Sequence, residues 1–192
     1  MALVMVRKIA LWSAIFLLLF VFSLAASNPP VTGNALATIK LPVPDHPDER
    51  KYLGVSGKHF FKIPQVKADM IVMEIFSLYC PQCQTAAPEV NALYQMIEEV
   101  SDFKNRIKMI GIGAGNSVLE VNAFREKHRV PFPLFPDQDF TIHKLLGEVR
   151  TPYFMIVKFD KNRAGQVIYA KEGAFGEAEN FLQQIMEAAR LK

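Results

Sequence analysis

Apolar positions along this chain alternate between two spacings, and each change of spacing predicts a new element of secondary structure. A nearly continuous apolar stretch with Val72, Ile75, Phe76, Leu78 and Tyr79 is typical of a buried strand that leads into a tight turn. Beyond the turn, apolar residues recur three and four positions apart, which places them on one face of a helix. These residues are Val90, Leu93, Ile97 and Val100.

The same alternation continues to the end of the chain. Strands are predicted at residues 107–112, 132–135, 153–157 and 167–169. Helices are predicted after a capping box formed by Ser117 and Glu120, after Asp139, and from Glu177 to Leu191. This order of strands and helices predicts an α/β protein with a three-layer α/β/α sheet.

The N-terminal part of the chain has a different pattern. Arg7 and Lys8 precede an uncharged run of 18 residues, Ile9 to Ala26. Residues 1–27 are therefore predicted to be a signal peptide or a short signal anchor. Either alternative predicts an exported protein in the periplasm or another extracytoplasmic compartment, soluble or anchored by residues 9–26.

The next segment, residues 28–47, is rich in proline and small residues, and it is predicted to be a tether. Residues 48–192 form the predicted domain. Its first part holds the short apolar pieces Tyr52-Leu53 and 60–63, which predict a hairpin packed ahead of the core.

The net charge argues against one class of partner, nucleic acid. The formal net charge is +3, and removal of a segment that contains Arg7 and Lys8 leaves +1. A chain so close to neutrality has no electrostatic footprint for nucleic acid, so no nucleic-acid partner is predicted.

The chain has only two cysteines, Cys80 and Cys83, at the change from strand to helix. Pro81 suits the first turn of a helix, where its missing N–H costs nothing. Cys80 would then lie beside the free N–H groups and the positive end of the helix dipole, which lower a thiol pKa. Cys83, one turn further on, can close a disulfide with it. The pattern predicts a redox-active dithiol that needs no organic cofactor and no metal.

Three other interpretations of these motifs are disfavoured by the sequence. A zinc site needs two more ligands, but no third cysteine exists and the histidines have no paired spacing. They are His46, His59, His128 and His143. A purely structural disulfide would close so small a loop that it would constrain the unfolded chain little. The glycine run at residues 111–115 is followed by Asn116, and it lacks the acidic partner of a dinucleotide fingerprint.

Strand, Cys-x-x-Cys and helix in this order resemble the thioredoxin-like superfamily. Further positions agree with the resemblance. Glu74 lies six residues before Cys80, where thioredoxins carry a buried acid, and Pro88 lies five after Cys83, where they carry a helix proline. Thr151-Pro152 opens a predicted strand at the place of the family's cis-proline. The resemblance covers about residues 40 to 190.

Two branches of the superfamily are indicated. The spacing of 69 residues from Cys83 to Pro152 is similar to the TlpA/ResA branch, whose inserted helix and strand peroxiredoxins share. The string around the cysteines instead resembles the disulfide oxidase DsbA, with Gln82 where that family has histidine. The resemblance implies protein thiols or disulfides as substrates, together with a redox partner that recycles the dithiol.

The resemblance also implies roles for single residues. Cys80 would attack a substrate disulfide and Cys83 would resolve the mixed disulfide. Glu74, among apolar neighbours, would have a raised pKa and would take the proton from Cys83. The alternative, a Glu74 side chain that faces solvent, stays open. Residues expected at the substrate surface are Tyr79, Pro81, Gln82, Thr151 and Pro152.

The predicted function is exported thiol–disulfide oxidoreductase. The reductive direction is favoured, because neutral Gln82 removes a charge that would stabilise the Cys80 thiolate. A peroxiredoxin-like peroxidase is an alternative. It is disfavoured because Ser77 and Met73 stand where that family's motif has threonine and proline. The other alternative is a non-catalytic binding module in which the cysteines only form a bridge.

Overall fold

The structure is a computed structural model that describes residues 28–189, so the predicted export segment lies outside it. Within this range, no helix is both long enough and apolar enough to cross a membrane. The strands are β1 (Lys40–Pro42), β2 (Phe60–Lys62), β3 (Met70–Phe76), β4 (Ile107–Ala114), β5 (Leu134–Asp137), β6 (Tyr153–Phe159) and β7 (Gly165–Glu172). The helices are α1 (Pro47–Leu53), α2 (Pro81–Glu99), α3 (Ser101–Arg106), α4 (Val118–His128), α5 (Thr141–Leu145) and α6 (Ala178–Ala189).

The described residues contain a main sheet of five strands in the order β5-β4-β3-β6-β7. Strand β4 runs parallel to β3 and to β5, whereas β6 is antiparallel to both β3 and β7. Every residue of β3 and of β4 is buried, because helices cover both faces of the sheet. The predicted α/β/α architecture is confirmed.

Alternate residues of β3 contribute side chains to two separate hydrophobic cores, one on each face of the sheet. Ile71, Met73 and Ile75 pack with the N-terminal hairpin and α5 on one face. On the other face, β3 packs against α2 and α6, whose buried residues include Leu93 and Phe181. Full burial of each such side chain stabilises the fold by roughly 1.5–3 kcal/mol, so α2 is fixed firmly against the sheet.

An N-terminal hairpin is present, but it differs from the prediction in its strands. Strand β1 pairs antiparallel with β2, from Lys40 opposite Lys62 to Pro42 opposite Phe60. The predicted strand piece Tyr52-Leu53 lies instead in α1, between the two strands. Pro47 at the start of α1 and Gly54 in the left-handed conformation at its end favour the helix.

The segment predicted to be a tether is partly packed into the fold. Ile39 and Leu41 are buried in the hydrophobic core that contains the hairpin. Further upstream, Gly33 and Leu36 donate backbone hydrogen bonds to the edge strand β7. The sequence signal for packing of this segment was its alternating apolar residues, but the prolines suggested a tether instead. The domain boundaries themselves stay a prediction.

Two smaller predictions about element ends are wrong. Strand β3 ends at Phe76, so that Leu78 is half-buried and Tyr79 is 69% exposed. Helix α2 ends at Glu99, which leaves Val100 outside its buried stripe. The strand ends three residues earlier, and the helix one residue earlier, than the run of apolar residues suggests.

The capping of helices is predicted correctly at one site and incorrectly at another. Ser117 and Glu120 form the expected capping box at the start of α4. At α5, Asp137 rather than Asp139 does most of the capping. Its carboxylate accepts from the backbone N–H groups of Ile142, at 2.9 Å, and His143, at 2.8 Å. Asp137 can do so because β5 extends two residues beyond the predicted end at residue 135.

Candidate active site

The two thiols lie where β3 gives way to α2. Between Phe76 and Pro81, the chain makes a turn that is closed by a backbone hydrogen bond of 3.1 Å from Cys80 to Ser77. Cys80 is the N-cap of α2, and its sulfur accepts a hydrogen bond of 3.4 Å from the backbone N–H of Cys83. The Cys80 sulfur is therefore held at the positive end of a long helix.

The surroundings give the two thiols opposite properties. Partial burial raises the pKa of the Cys80 thiol, but hydrogen bonds from the Thr151 side chain, from Cys83 and from the Gln82 backbone outweigh burial, so that the pKa of Cys80 is lowered overall. The Cys83 thiol is fully buried. Burial, followed by its hydrogen bond to Cys80, raises the pKa of Cys83 well above the usual range of a thiol. Cys80 is accordingly the thiol that ionises first.

The loop before β6 closes over the Cys80 sulfur. The Thr151–Pro152 peptide bond is cis, as the resemblance implies. The carbonyl oxygen of Thr151 lies 3.2 Å from the Cys80 sulfur and accepts a hydrogen bond from the thiol. Because β6 pairs with β3 from Ile75 opposite Tyr153, the sheet itself brings the loop and the dithiol together.

Glu74 is a buried carboxyl on β3, with only 4% of its surface exposed, so the alternative of a solvent-facing side chain does not hold. Among the described residues, its Oε1 atom has no hydrogen-bond partner. Burial, together with the nearby charge of Cys80, raises the pKa of Glu74 to about 8. The charge of Glu74 in turn contributes to the raised pKa of Cys83, so the acid and the buried thiol are electrostatically coupled.

The remaining predicted site residues lie around the opening. The Tyr79 hydroxyl donates a hydrogen bond to Glu120, which holds the exposed ring at the rim of the site. Pro81 and Gln82 line one wall of an open groove of about 580 Å³. The opposite wall is the loop at residues 173–177, which connects β7 to α6. Pro81, which directly follows Cys80 in the chain, is among the residues that line this groove.

Two residues of the site were missed by the sequence analysis. Asn116 is fully buried, and its Oδ1 atom accepts a hydrogen bond of 2.8 Å from the backbone N–H of Leu78. Gln84 donates a hydrogen bond of 2.8 Å to the carbonyl oxygen of the same Leu78. A polar residue just beyond the apolar, glycine-containing end of β4 was the available signal for Asn116.

The glycine run before Asn116 has a packing explanation. A Cβ atom added at Gly113 would lie 3.0 Å from the Cβ of Asn116 and 2.9 Å from Val121. At Gly115, which has a φ of +66°, an added Cβ would lie 2.3 Å from the ring of Phe140. These glycines leave room for neighbouring side chains, and this agrees with the rejection of a dinucleotide site.

Across residues 28–189, no three His, Cys, Asp or Glu side chains come together in a group suited to hold a metal ion.

Comparison with protein families gives a match to the AhpC/TSA family over residues 47–170. The chain belongs to this family. The matched region includes both cysteines, Glu74 and the cis-proline loop, and it ends within β7. None of the curated protein sequences compared with this chain matches it.

Solved structures with a similar fold include two proteins that are named for thiol–disulfide exchange. A candidate thiol:disulfide interchange protein DsbE from Chlorobium tepidum is 16% identical, with a TM-score of 0.61, and the match covers 83% of this chain and 98% of that one. StoA from Bacillus subtilis is 17% identical, with a TM-score of 0.54 and coverage of 80% and 96%. The thioredoxin domain of a thiol-disulfide oxidoreductase from Bacteroides vulgatus is 13% identical, with a TM-score of 0.58 and coverage of 81% and 97%. These likenesses confirm the thioredoxin-like fold.

Proposed function

We propose that this protein is an exported thiol–disulfide oxidoreductase that exchanges disulfides with protein substrates through Cys80 and Cys83. The observation that carries the proposal is the contrast between the two thiols. Cys80 is partly exposed at a helix N-terminus with a lowered pKa, whereas Cys83 is fully buried with a raised pKa. One sulfur suits attack on an incoming disulfide, and the other suits an internal second step.

The reaction follows from these positions. The Cys80 thiolate attacks one sulfur of the substrate disulfide, so that a mixed disulfide forms and the other substrate sulfur leaves as a thiolate. Cys83 then loses its proton and attacks the Cys80 sulfur. The second substrate thiolate leaves, and the protein retains a Cys80–Cys83 disulfide. A recycling partner with a dithiol must return two electrons before the next cycle.

Glu74 is the proposed acceptor of the Cys83 proton. A carboxyl with a pKa of about 8 is mostly protonated near pH 7, but its ionised form is a stronger base than an ordinary glutamate and accepts a proton from a thiol more readily. The exposed edge of the cis-proline loop, at Thr151 and Pro152, is the proposed docking place for the substrate backbone. Tyr79, Pro81 and Gln82 contact the substrate around the same opening.

The favoured direction is reduction of the substrate. Hydrogen bonds that stabilise the Cys80 thiolate come from the Thr151 side chain, from Cys83 and from the Gln82 backbone, and the neutral Gln82 side chain adds no positive charge. A less stabilised thiolate makes the Cys80–Cys83 disulfide less oxidising. Equilibration of the purified protein with glutathione buffers, followed by measurement of the oxidised fraction, tests this direction. A potential near that of strong disulfide oxidants would contradict it.

A peroxidase is the second candidate, since the AhpC/TSA match is compatible with the peroxiredoxin alternative. In that reaction, Cys80 would attack a peroxide oxygen, water or an alcohol would leave, and Cys83 would resolve the resulting sulfenate. Ser77 stands where the peroxiredoxin motif has threonine, and its hydroxyl accepts a hydrogen bond of 3.4 Å from Asn116. Consumption of hydrogen peroxide by the reduced protein, measured beside reduction of a protein disulfide, separates the two candidates.

The decisive experiment is the Cys83→Ser variant, because loss of the resolving thiol leaves the mixed disulfide in place. We expect this variant to accumulate covalent adducts with exported proteins through Cys80, visible as bands that disappear on reduction. The double variant Cys80→Ser/Cys83→Ser is the matched control and should form none. A correctly folded Cys83→Ser variant without adducts would favour the binding-module alternative.

Export and the fate of the N-terminal segment are part of the proposal. Residues 1–27 would direct the chain out of the cytoplasm, and residues 9–26 would either be removed or remain as an anchor. An oxidising compartment suits a protein whose substrates carry disulfides. Cell fractionation, with the mature N-terminus determined by mass spectrometry, tests both points.

A further inference from the structure

The turn from Ser77 to Cys80 is held by side chains from outside it. Leu78 lies between β3 and α2, where its backbone groups have no partner within a strand or a helix. Its N–H donates to Asn116 and its carbonyl accepts from Gln84, each at 2.8 Å. Both polar groups of one peptide residue are therefore bound by side chains, which together we name the Leu78 clamp (Asn116 and Gln84).

Each half of the clamp is itself fixed. Asn116 is fully buried, its backbone N–H donates to Gly113, and its side-chain amide donates to the Ser77 hydroxyl. A fully buried amide is costly unless its hydrogen bonds are made, so this side chain has little freedom. Gln84 accepts a hydrogen bond of 3.0 Å from Lys127 on α4.

The clamp holds Leu78, which directly follows Ser77, and the backbone of Ser77 contacts both cysteines. The carbonyl of Ser77 accepts the hydrogen bond from the Cys80 N–H, and a backbone hydrogen bond from Ser77 also reaches the Cys83 thiol. Movement of Ser77 and Leu78 would change how Cys80 and Cys83 face each other. The Cys80 sulfur, in contrast, keeps its hydrogen bond from Cys83 as long as α2 is intact.

We propose that the Leu78 clamp is a positioning device for the dithiol, which fixes the turn so that the buried Cys83 sulfur meets the Cys80 sulfur. This inference rests on the proposed exchange reaction. It assigns roles to two further residues, Asn116 and Gln84, in addition to those of the cysteines, Glu74 and the cis-proline loop. Preorganised intramolecular reactions lose rate steeply when the reacting atoms are misplaced. The clamp thus serves the second, internal step and not the first attack.

The test measures the two steps separately in the reduced full-length protein. Oxidised glutathione is added, samples are quenched with acid, and mass spectrometry follows the Cys80–glutathione adduct and its conversion into the Cys80–Cys83 disulfide. Asn116→Ala should slow the conversion about tenfold and change adduct formation less than about twofold. Gln84→Ala removes the other half of the clamp from a partly exposed helix position, and it should slow the same step in the same way.

The chain offers a matched control in Asn91, which also joins α2 to α4. Its side-chain amide donates a hydrogen bond of 2.8 Å to the carbonyl of His128, away from the dithiol. Asn91→Ala should lower stability and leave both steps unchanged. The pH profile of the conversion should keep its shape in the clamp variants, because Glu74 is untouched.

The outcomes separate this inference from the proposed function. A wild-type protein that never converts the glutathione adduct would refute the exchange reaction itself. Normal wild-type conversion, with clamp variants that behave like Asn91→Ala, would overturn only the positioning role. Equal slowing of both steps would overturn it as well. If Asn116→Ala does not fold, the result with Gln84→Ala decides.

Discussion

Glu74 and Lys108 are two buried ionisable residues on neighbouring strands, and their side chains have very different contacts. Glu74 on β3 is next to the dithiol, and Lys108 lies near the start of β4, toward the other end of the sheet. Both are almost completely inaccessible to solvent. Burial raises the pKa of the acid and lowers the pKa of the lysine, so in each case it opposes the charged form.

Their partners differ. The ammonium of Lys108 donates a hydrogen bond of 2.6 Å to the carbonyl of Lys104 and lies 4.3 Å from the centre of the Tyr52 ring. Glu98 supplies a counter-charge at 3.9 Å. In the described part of the chain, Oε1 of Glu74 has no such partner. Lys108 therefore has the contacts of a structural charge, whereas the Glu74 carboxyl, whose Oε1 atom lacks a partner among the described residues, fits its proposed role in proton transfer.

The largest expected effect of this difference is on stability as a function of pH. Glu74 has a pKa of about 8 in the folded protein and an ordinary value of 4.5 when it is exposed. Between pH 4.5 and pH 8, Glu74 binds fewer protons in the unfolded chain than in the folded protein. The free energy of unfolding therefore falls as the pH rises. The contribution of Glu74 to stability is complete below pH 4.5 and lost above pH 8, with a total on the order of 5 kcal/mol.

Glu74→Gln should therefore be more stable than the wild type at pH 8, and the difference should shrink toward pH 4.5. Urea unfolding of both proteins at several pH values measures it. Curves that stay parallel over this range would show that Glu74 titrates like an exposed glutamate, and the contrast with Lys108 would fail.

The next effect is kinetic. Glu74→Gln cannot accept the proton from Cys83, so conversion of the mixed disulfide into the Cys80–Cys83 disulfide should slow by up to about 100-fold. The first attack by Cys80 should change little, because Cys80 already has a lowered pKa. Rapid quenching after addition of a disulfide separates the two steps. Equal slowing of both steps, or of neither, would contradict the assigned role.

The smallest effect is expected at Lys108, the buried charge that has several partners. Lys108→Met keeps most of the apolar packing and loses the hydrogen bond to the Lys104 carbonyl, so the free energy of unfolding should fall by about 1–2 kcal/mol. Neither step of the disulfide reaction should change. Thermal unfolding and the same quenched reaction provide the measurements. If resolution slows as it does in Glu74→Gln, loss of any buried charge disturbs the site and Glu74 has no special role.

Sequence reasoning located the chemistry well because its signals were local. Cys80, Pro81 and Cys83 lie within one helical turn, and the turn and the start of the helix follow from that spacing alone. Glu74 could be named because a carboxylate in an apolar strand conflicts with its surroundings. The clamp residues gave much weaker signals, because Asn116 and Gln84 are ordinary polar residues until Leu78 is placed between them.

The sequence by itself determined the order of strands and helices, the α/β/α layers and the residues of the dithiol, because apolar periodicity and short spacings act over a few residues. Tertiary structure alone decided which groups surround the sulfur atoms. Thr151 lies 3.2 Å from Cys80 only because β6 pairs with β3, and Asn116 reaches Leu78 only because β4 lies on the other side. Contacts between residues 38 or 71 positions apart depend on sheet register, which no local pattern encodes.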